Sequence, residues 1–230
     1  MSLAAETLVD RAVRHVQAHI REHDLKVGDT LPGEGTFASQ LGVSRAVMRE
    51  AFGALAALRL LDVGNGRRAR VGAIDGSVMG TSISHAVATA QVSTAQVWDV
   101  RRTLELRTVE LAALNRTEEE AREIERLADE MAVSFDDPDR LVRTDIALHQ
   151  AIAVASRNPL YQQIIRSFEP LMKEAVPAAW ATRRTEEQRV SILDVHIGLA
   201  RAITEGDGAK ARNLVDAHFD ASIADLFSET

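Results

Sequence analysis

Four polar side chains lie on otherwise apolar helical faces in the second half of the chain, and their types are those that bind metal ions. In the helix predicted over 140–155, Asp145 and His149 are one turn apart on a stripe of leucine, valine and isoleucine. His196 and His218 lie on two later apolar stripes. A lone histidine on such a face is more commonly a hydrogen-bonded core residue, but an unpaired buried carboxylate is costly, and metal coordination relieves that cost. Three imidazoles and a carboxylate that met would bind a divalent transition metal, although spacing alone does not show that they meet.

A second group of candidates, in 31–50, has the residue types of a DNA-contacting helix. A short helix ending at Gly42, which can adopt a left-handed turn, precedes a second helix that Ser44 is placed to cap. Arg45 and Arg49 project together near the start of this second helix, where a recognition helix meets base edges and phosphates. The helix is expected to pack through the apolar residues Val47, Ala51, Ala54 and Leu58. The pattern predicts a helix-turn-helix, with a helical hairpin carrying a solvated arginine face as the alternative.

The residues that follow, 63–71, favour the DNA-binding interpretation. Asn65-Gly66 is a strong signal for a tight β-hairpin, and short apolar segments bracket it. Arg67 and Arg68 lie at or beside the predicted tip, where they would contact the phosphates of an adjacent groove. A solvated basic loop is the alternative, but its position directly after a helix-turn-helix favours a winged helix.

This region resembles the GntR family of bacterial transcription regulators over about residues 5–72. The family pattern is a Leu-Pro-Ser-Glu run, a short helix, Gly-Val-Ser-Arg with a following Arg-Glu, and a Gly-rich wing. This chain matches the pattern at Leu31, Pro32, Glu34, Leu41, Gly42, Val43, Ser44, Arg45, Arg49, Glu50 and Gly66. The resemblance implies that Arg45 and Arg49 contact DNA and that Gly66 is the wing glycine. Ser44, Arg67 and Arg68 complete the predicted DNA-binding set.

This chain departs from the family pattern at positions that affect base preference. Gly33 stands where serine is usual, and Gly35 stands where members often carry an arginine that touches DNA. Arg68 and Arg70 replace the wing's usual glycine and aromatic residue. The resemblance therefore implies the docking mode on DNA, and it leaves the base preference open.

Composition agrees with two domains of different character. Residues 1–75 hold ten lysines and arginines against nine acidic residues, and 76–230 hold 17 against 25. The net charge of −7 argues against a non-specific nucleic-acid coat, although a near-neutral module with a basic edge can still bind DNA. The chain has no cysteine, which excludes a disulfide framework and a thiolate site. No apolar run approaches membrane-spanning length and the N-terminal stretch is acidic in part, so neither export nor membrane insertion is expected.

The glycines separate these two domains. Ten of the 13 glycines fall within the first 80 residues, and none occurs between Gly80 and Gly198, so the second part lacks the turns of a β-rich domain. Helices are predicted there over 81–91, 94–115, 118–134, 140–155, 160–167, 185–205 and 208–227. We therefore expect a mainly α protein, with an N-terminal winged helix-turn-helix at 1–75 and a C-terminal all-α antiparallel helical bundle at 76–230. A hinge is expected at 72–80, where small residues dominate.

Residues from about 80 to 227 resemble the ligand-binding domain of the FadR subgroup of the GntR family. Many members carry an aspartate, a histidine four residues later and one histidine on each of the last two long helices, and together these bind a metal. Asp145, His149, His196 and His218 match position by position, so the resemblance implies that they converge. Arg101 lies on the apolar face of the matching first helix, where its planar fork is suited to holding the carboxylate of an effector. A rim arginine that reaches solvent is the alternative.

These observations predict a metabolite-responsive DNA-binding regulator, which in this subgroup is most often a repressor. Its helical domain would bind a small organic acid through Arg101 and a divalent transition metal, zinc in the first place and nickel or manganese as alternatives. The other expected partners are double-stranded operator DNA and a second copy of the chain, because half-sites are usually read by symmetric pairs; the expected location is the cytoplasm. The alternative is a metal-dependent enzyme acting on a small carboxylate. Four protein ligands, no further general base and a winged helix weigh against it.

Overall fold

A computed structural model of the chain describes residues 6–134, 137–183 and 185–227, with side chains as far as residue 221. These residues form eleven helices and one two-stranded sheet, which confirms the prediction of a mainly α protein. The chain divides into two compact units, Met1–Val78 and Met79–Thr230. Among the described helices, none combines the length and the apolar character needed to cross a membrane.

The N-terminal unit has the element order of a winged helix-turn-helix. Its elements are α1 (Leu8–Glu22), α2 (Glu34–Leu41), α3 (Arg45–Ala57), β1 (Leu61–Asp62) and β2 (Arg70–Val71). The first helix begins with a capping box, in which the Thr7 hydroxyl accepts a hydrogen bond from the Asp10 N–H and the Asp10 carboxylate accepts one from the Thr7 N–H. The second helix ends at Gly42, whose φ of +69° is the expected left-handed turn.

The face by which α3 packs differs from the predicted one. Its buried residues are Met48, Ala51, Phe52 and Leu55. Ala54 is exposed, and Leu58 is 52% exposed. The predicted stripe was therefore wrong at these two positions, because the larger apolar surfaces of Phe52 and Leu55 take the core positions.

The wing is also more open than the predicted tight hairpin. Leu61 pairs with Val71 and Asp62 with Arg70 in antiparallel register, so residues 63–69 form the loop between the strands. A two-residue type I′ turn needs positive φ at both central positions, and only Gly66 of the Asn65-Gly66 pair has it, at +73°. Hydrogen bonds at 2.9 Å, from Leu31 N–H to the Ala69 carbonyl and from Val71 N–H to the Asp29 carbonyl, hold the wing to the preceding segment.

The C-terminal unit consists of helices alone in its described part. They are α4 (Ser77–Ala88), whose first two residues belong to the N-terminal unit, α5 (Thr94–Asn115), α6 (Glu118–Val133), α7 (Pro138–Ala155), α8 (Pro159–Ser167), α9 (Glu169–Thr182), α10 (Glu186–Glu205) and α11 (Gly208–Phe227). Neighbouring pairs are α5 with α11, α10 with α11 and α6, and α7 with α6 and α5. These helices enclose one apolar core. The predicted bounds of α5 and α11 agree with the structure residue for residue.

Helix α9 is absent from the sequence-based prediction. Pro170 lies in its first turn, where the missing N–H costs no helical hydrogen bond, but Pro177 lies in its interior. An interior proline disfavours a helix by about 3 kcal/mol relative to alanine. Burial of the apolar side chains of this helix opposes that cost; they are Leu171, Met172, Ala175, Ala179 and Trp180.

The segment predicted as a hinge, 72–80, is partly helical in the structure. Helix α4 already begins at Ser77, so only 72–76 is non-helical. Gly80 is buried, and a Cβ added there would lie 2.8 Å from the backbone carbonyl oxygen of Ser167. The missing side chain of Gly80 therefore permits close packing of α4 on the end of α8.

Replacing Gly80 with alanine is expected to destabilise the C-terminal unit by about 1 to 3 kcal/mol, because the added methyl group would push α4 away from Ser167. Urea unfolding of the full chain, followed by helical circular dichroism, measures the change. Gly198→Ala in α10 is the matched control, since its Cβ would meet Leu214 at an ordinary 3.5 Å and should be neutral or stabilising. Equal stability of Gly80→Ala and the parent protein would contradict the close-packing explanation.

Candidate DNA-binding surface and metal centre

The start of α3 presents two exposed cations. Ser44 caps the helix, its hydroxyl accepting a hydrogen bond from the Val47 N–H at 3.2 Å. Arg45 and Arg49 are both exposed. Arg49 Nε lies 3.6 Å from the Glu34 carboxylate, but because the arginine side chain is 77% exposed this ion pair contributes little to stability. The predicted DNA contacts therefore lie together on the solvent side of a capped helix.

Gly35 and Arg45 share space on this surface. Nε of Arg45 lies 3.5 Å from the place that a Cβ on Gly35 would occupy. The departure from the family pattern at Gly35 thus leaves room for the Arg45 guanidinium to lie against the start of α2.

The wing carries the other predicted DNA contacts. Arg67 forms an ion pair with Asp62 at 2.7 Å, and both side chains are about half exposed, at 48% and 54%. Arg68 is exposed, and so is Arg70 on β2. Gly66 has the positive φ that favours glycine. The loop thus places Arg67 and Arg68 beside Gly66, as the sequence predicts.

The four predicted metal ligands come together in the C-terminal unit, from α7, α10 and α11. Oδ1 of Asp145 lies 3.3 Å from Nε2 of His196 and 3.9 Å from Nε2 of His149. One ring nitrogen of each of His149, His196 and His218 lies within 4.8 Å of the others. All four side chains are buried. The convergence that spacing could not establish is therefore present in the fold.

Hydrogen bonds fix the proton positions on two of the imidazole rings. Nδ1 of His196 donates to the Ile192 carbonyl at 2.7 Å, and Nδ1 of His149 donates to the carboxylate of Glu105. Because a carbonyl and an ionised carboxylate only accept, both rings carry a proton on Nδ1, so each ring presents an Nε2 lone pair to the site when it is neutral. These two Nε2 atoms and Nδ1 of His218 are buried and make no hydrogen bond within the described residues.

Unsatisfied buried nitrogens of this kind are costly, and a metal ion would satisfy them. Zinc ligands lie about 2.0–2.2 Å from the ion, so two ligand atoms on one ion are separated by roughly 3–4 Å. The separations of 3.3 and 3.9 Å between Asp145 and the two histidines agree with this spacing. The three buried histidines can therefore hold a metal ion, with Asp145 placed as a fourth ligand.

Electrostatics keep these groups in the protonation states that metal ligands need. Burial raises the pKa of Asp145, but its neighbours His196, His149 and Arg101 outweigh burial, so the pKa is lowered and the carboxylate is ionised. Burial lowers the pKa of His218 well below its usual value. His218 is therefore neutral at neutral pH and retains a lone pair for a metal.

Arg101 belongs to the same buried region. Its side chain is 4% exposed, which contradicts the alternative of a rim arginine. The guanidinium lies 5.5 Å from the Trp98 ring centre and 5.4 Å from that of Phe219, and Nε donates to the Glu105 carboxylate. With Asp145 and the histidines of α10 and α11, Arg101 lines a cavity of about 40 Å³.

The missed helix α9 forms one wall of this cavity. It contributes Ala175, Val176, Ala179 and Trp180, and Arg183 follows at its end. The ring of Trp180 lies 5.7 Å from the Arg183 guanidinium. The cavity is thus lined by apolar side chains of α9 and by the charged side chains of Arg101 and Asp145.

Sequence reasoning assigned no role to two residues that position the site. Glu105 lies one turn after Arg101. The helical spacing of Arg101, Glu105, Thr108 and Ala112 was the sequence signal that could have found it, and the structure shows that these four residues are buried on one face of α5. Arg102, on the adjacent face, forms ion pairs with Asp216 at 2.6 Å and Asp220 at 2.7 Å. Since these carboxylates flank His218 on α11, Arg102 fixes that helix against α5.

Comparison with known proteins identifies both units. Residues 8–71 match the family described as bacterial regulatory proteins, gntR family, and residues 96–221 match the FCD domain. The chain is 28% identical over 213 residues to the HTH-type transcriptional regulator LutR of Bacillus subtilis (strain 168), covering 91% of this chain and 96% of the relative. It is 26% identical over 222 residues to the HTH-type transcriptional repressor NanR of Salmonella newport (strain SL254), covering 95% and 85%.

Solved structures share the fold. The Streptococcus agalactiae protein GntR superposes with a TM-score of 0.66 at 21% identity, over 93% of this chain and 97% of that one. The E. coli protein McbR/YncC superposes with a TM-score of 0.52 at 19% identity, over 97% and 99%. At these identities the likeness shows a common fold.

LutR and NanR are both transcription regulators, so the alternative of a metal-dependent enzyme has no support. The FCD match spans more than half of the chain, and the gntR match covers the helix-turn-helix and the wing. The chain therefore belongs to the GntR family of bacterial transcription regulators, with an FCD domain as its C-terminal unit, and is a metabolite-responsive DNA-binding protein.

Proposed function

We propose that this regulator is a repressor whose C-terminal unit binds a small organic acid through a metal ion and thereby changes its affinity for operator DNA. The observation that carries the proposal is the group of three buried imidazole nitrogens that make no hydrogen bond within the described part of the chain, beside an ionised aspartate and a buried arginine. A ligand alters DNA affinity only if it binds the DNA-competent and DNA-incompetent arrangements unequally. Coupling of about 1 to 3 kcal/mol is typical of such regulators.

The proposed ligands of one divalent ion per chain are Asp145, His149, His196 and His218. Three imidazoles and a carboxylate suit zinc first, and nickel or manganese would also be accepted. When bound, the ion supplies positive charge and open coordination positions for the oxygens of an acid. Nothing in this set requires a redox-active metal.

Arg101 would bind the carboxylate of the effector. Its guanidinium lines the cavity and lies near the rings of Trp98 and Phe219. A cavity of about 40 Å³ would hold roughly three water molecules, since each needs about 10–15 Å³ in this measure. The acid is therefore expected to have only a few heavy atoms.

The N-terminal unit is the proposed DNA-binding domain. Arg45 and Arg49 would read the major groove from the start of α3, and the remaining contacts would come from Ser44, Gly66, Arg67 and Arg68. Because operators of such regulators are commonly two-fold symmetric, we expect a homodimer to bind them. The name of the relative NanR supports a repressor, and a DNA-binding regulator of this family is expected to act in the cytoplasm.

A thermal-shift screen against small organic acids, run with and without a chelator, tests the proposal. An acid that raises the melting temperature only when metal is present would establish the ligand class and the metal together. Operator binding measured with and without that acid then tests regulation. Acids that stabilise equally in the chelator would place the effector elsewhere.

Replacing Arg101 with lysine is expected to weaken acid binding by about 1.5 to 3 kcal/mol, because lysine keeps the charge beside Glu105 but loses the planar fork. Calorimetric titration of the metal-loaded protein with the acid found in the screen measures the effect. Arg107→Lys, an exposed position on the same helix that pairs with Glu110, is the control and should bind normally. Unchanged acid affinity in Arg101→Lys would remove this arginine from the effector site.

A further inference from the structure

Glu105 is a buried carboxylate that connects the two halves of the proposed effector site. It lies on α5 one turn after Arg101 and is 3% exposed. Its Oε1 accepts a hydrogen bond from Nε of Arg101, and its Oε2 accepts one from Nδ1 of His149 on α7. Each oxygen therefore serves a different functional side chain.

The chemistry of the two contacts fits this double role. A guanidinium offers only N–H donors, so Oε1 must accept from Arg101, and Oε2 is left to Nδ1 of His149. An ionised carboxylate has acceptors on both oxygens and no donor. Both of its neighbours must consequently donate.

For His149, donation through Nδ1 leaves the lone pair on Nε2. That atom is buried without a hydrogen-bond partner among the described residues and lies 3.9 Å from Asp145 Oδ1. The opposite tautomer would place a hydrogen on Nε2, where a metal ion would have to bind. Glu105 thus selects the tautomer that is ready for metal.

For Arg101, the bond through Nε fixes the direction of the fork. The guanidinium lies 5.5 Å from the ring centre of Trp98 and 5.4 Å from that of Phe219, and its Nη1 donates toward the sulfur of Met172 on α9. A single carboxylate therefore sets the orientation of the arginine and of a metal ligand on a different helix.

We propose that Glu105 is a positioning residue that couples metal binding to acid binding, by holding His149 in its metal-ready tautomer and Arg101 in its acid-binding orientation. The inference rests on the proposed function, in which His149 binds metal and Arg101 binds the acid. Outer carboxylates on metal-bound histidines commonly change metal affinity by about 10- to 100-fold.

Glutamine cannot replace Glu105 in this arrangement, although it has the same shape. Its amide offers one acceptor and one donor group, and it faces two donors. The charged arginine forms the stronger hydrogen bond and takes the carbonyl oxygen. The amide NH₂ then donates to Nδ1 of His149 and moves the ring proton to Nε2.

The test measures zinc affinity by competition with a chromophoric chelator and the His149 tautomer by nitrogen NMR of the metal-free protein. Glu105→Gln should weaken zinc binding about 10- to 100-fold and shift the ring proton to Nε2. Glu110→Gln, on the exposed face of α5 beside Arg107 and Arg212, is the matched control and should do neither.

Two double variants, in which both Arg101 and Glu105 are replaced by uncharged residues, keep the test independent of how well Glu105→Gln folds. In Arg101→Met with Glu105→Gln, the glutamine serves His149 alone, so zinc affinity should return to within about threefold of the parent protein and avoid the roughly 10- to 100-fold loss of the single variant. In Arg101→Met with Glu105→Leu, the acceptor is absent and the loss should persist.

The inference is overturned if Glu105→Gln keeps both the parental zinc affinity and the Nδ1–H tautomer, or if the two double variants bind zinc equally. These results are distinct from failure of the proposed function. If the parent protein bound no metal, the metal proposal would fail, whereas the tautomer measurement on the metal-free protein would still report on Glu105.

Discussion

Replacing both Arg45 and Arg49 with alanine is expected to weaken operator binding by about 2 to 6 kcal/mol, which is at least roughly 30-fold, because each bidentate base contact is worth about 1 to 3 kcal/mol. Both side chains are exposed, and the ion pair between Arg49 and Glu34 is weak. Stability should therefore change little. Fluorescence anisotropy on a fragment that the parent protein selects from random DNA measures the affinity.

The single variants separate base reading from phosphate binding. An arginine that contacts only phosphate should weaken binding to all sequences alike and reduce the salt dependence, whereas a base contact should relax the preference at one position. Arg21→Ala removes the same charge from α1 of the same unit and should have a much smaller effect. Undiminished operator binding by the double variant would contradict the helix-turn-helix assignment of this surface.

Replacing His196 with alanine is expected to abolish stoichiometric metal binding and with it the stabilisation that metal provides. A ligand present at about 100 to 1,000 times its dissociation constant stabilises the folded state by about 2.7 to 4.1 kcal/mol. For a domain of about 150 residues this corresponds to roughly 5 to 16 °C in melting temperature. The melting temperature of the parent protein should fall by about this amount when a chelator is added. His196→Ala should have the lower melting temperature from the start, and the chelator should not change it.

Elemental analysis of protein purified without chelator checks the same prediction directly. His85→Ala, an exposed histidine on α4 of the same unit, is the control and should keep its metal. A parent protein that carries no stoichiometric transition metal, and takes up none on dialysis, would reduce the four residues to a hydrogen-bonded polar core.

The starts of α5 and α6 could be predicted because their signals are local. Helix α5 begins with a capping box between Ser93 and Gln96, and α6 begins with another between Thr117 and Glu120. These residues are three apart and visible in any reading of the chain. Helix α9 has the opposite character, since Pro177 opposes a helix locally and the apolar core on which α9 packs is built from distant residues.

In the candidate site, too, the sequence showed the residue types but not the contacts between residues that are distant in the chain. The residue types of Asp145, His149, His196 and His218 are visible on apolar stripes, but only the family resemblance implied that three helices bring them together. Neither clue gave Glu105 a role, because its partner His149 is 44 residues away. Arg102 escaped notice for the same reason, as its bond to Asp216 spans 114 residues.

Helix α9 differs from the other walls of the cavity in what it could tolerate over evolutionary time. It supplies alanine, valine and tryptophan side chains to the lining and none of the four candidate metal ligands, which lie on α7, α10 and α11. Pro177 also removes one N–H from its backbone hydrogen-bond ladder, which makes bending at that point easier. After gene duplication, substitutions along this helix could reshape the cavity for another acid while the ligands stayed intact. Paralogues that share one metal centre could then diverge in the nutrients they sense.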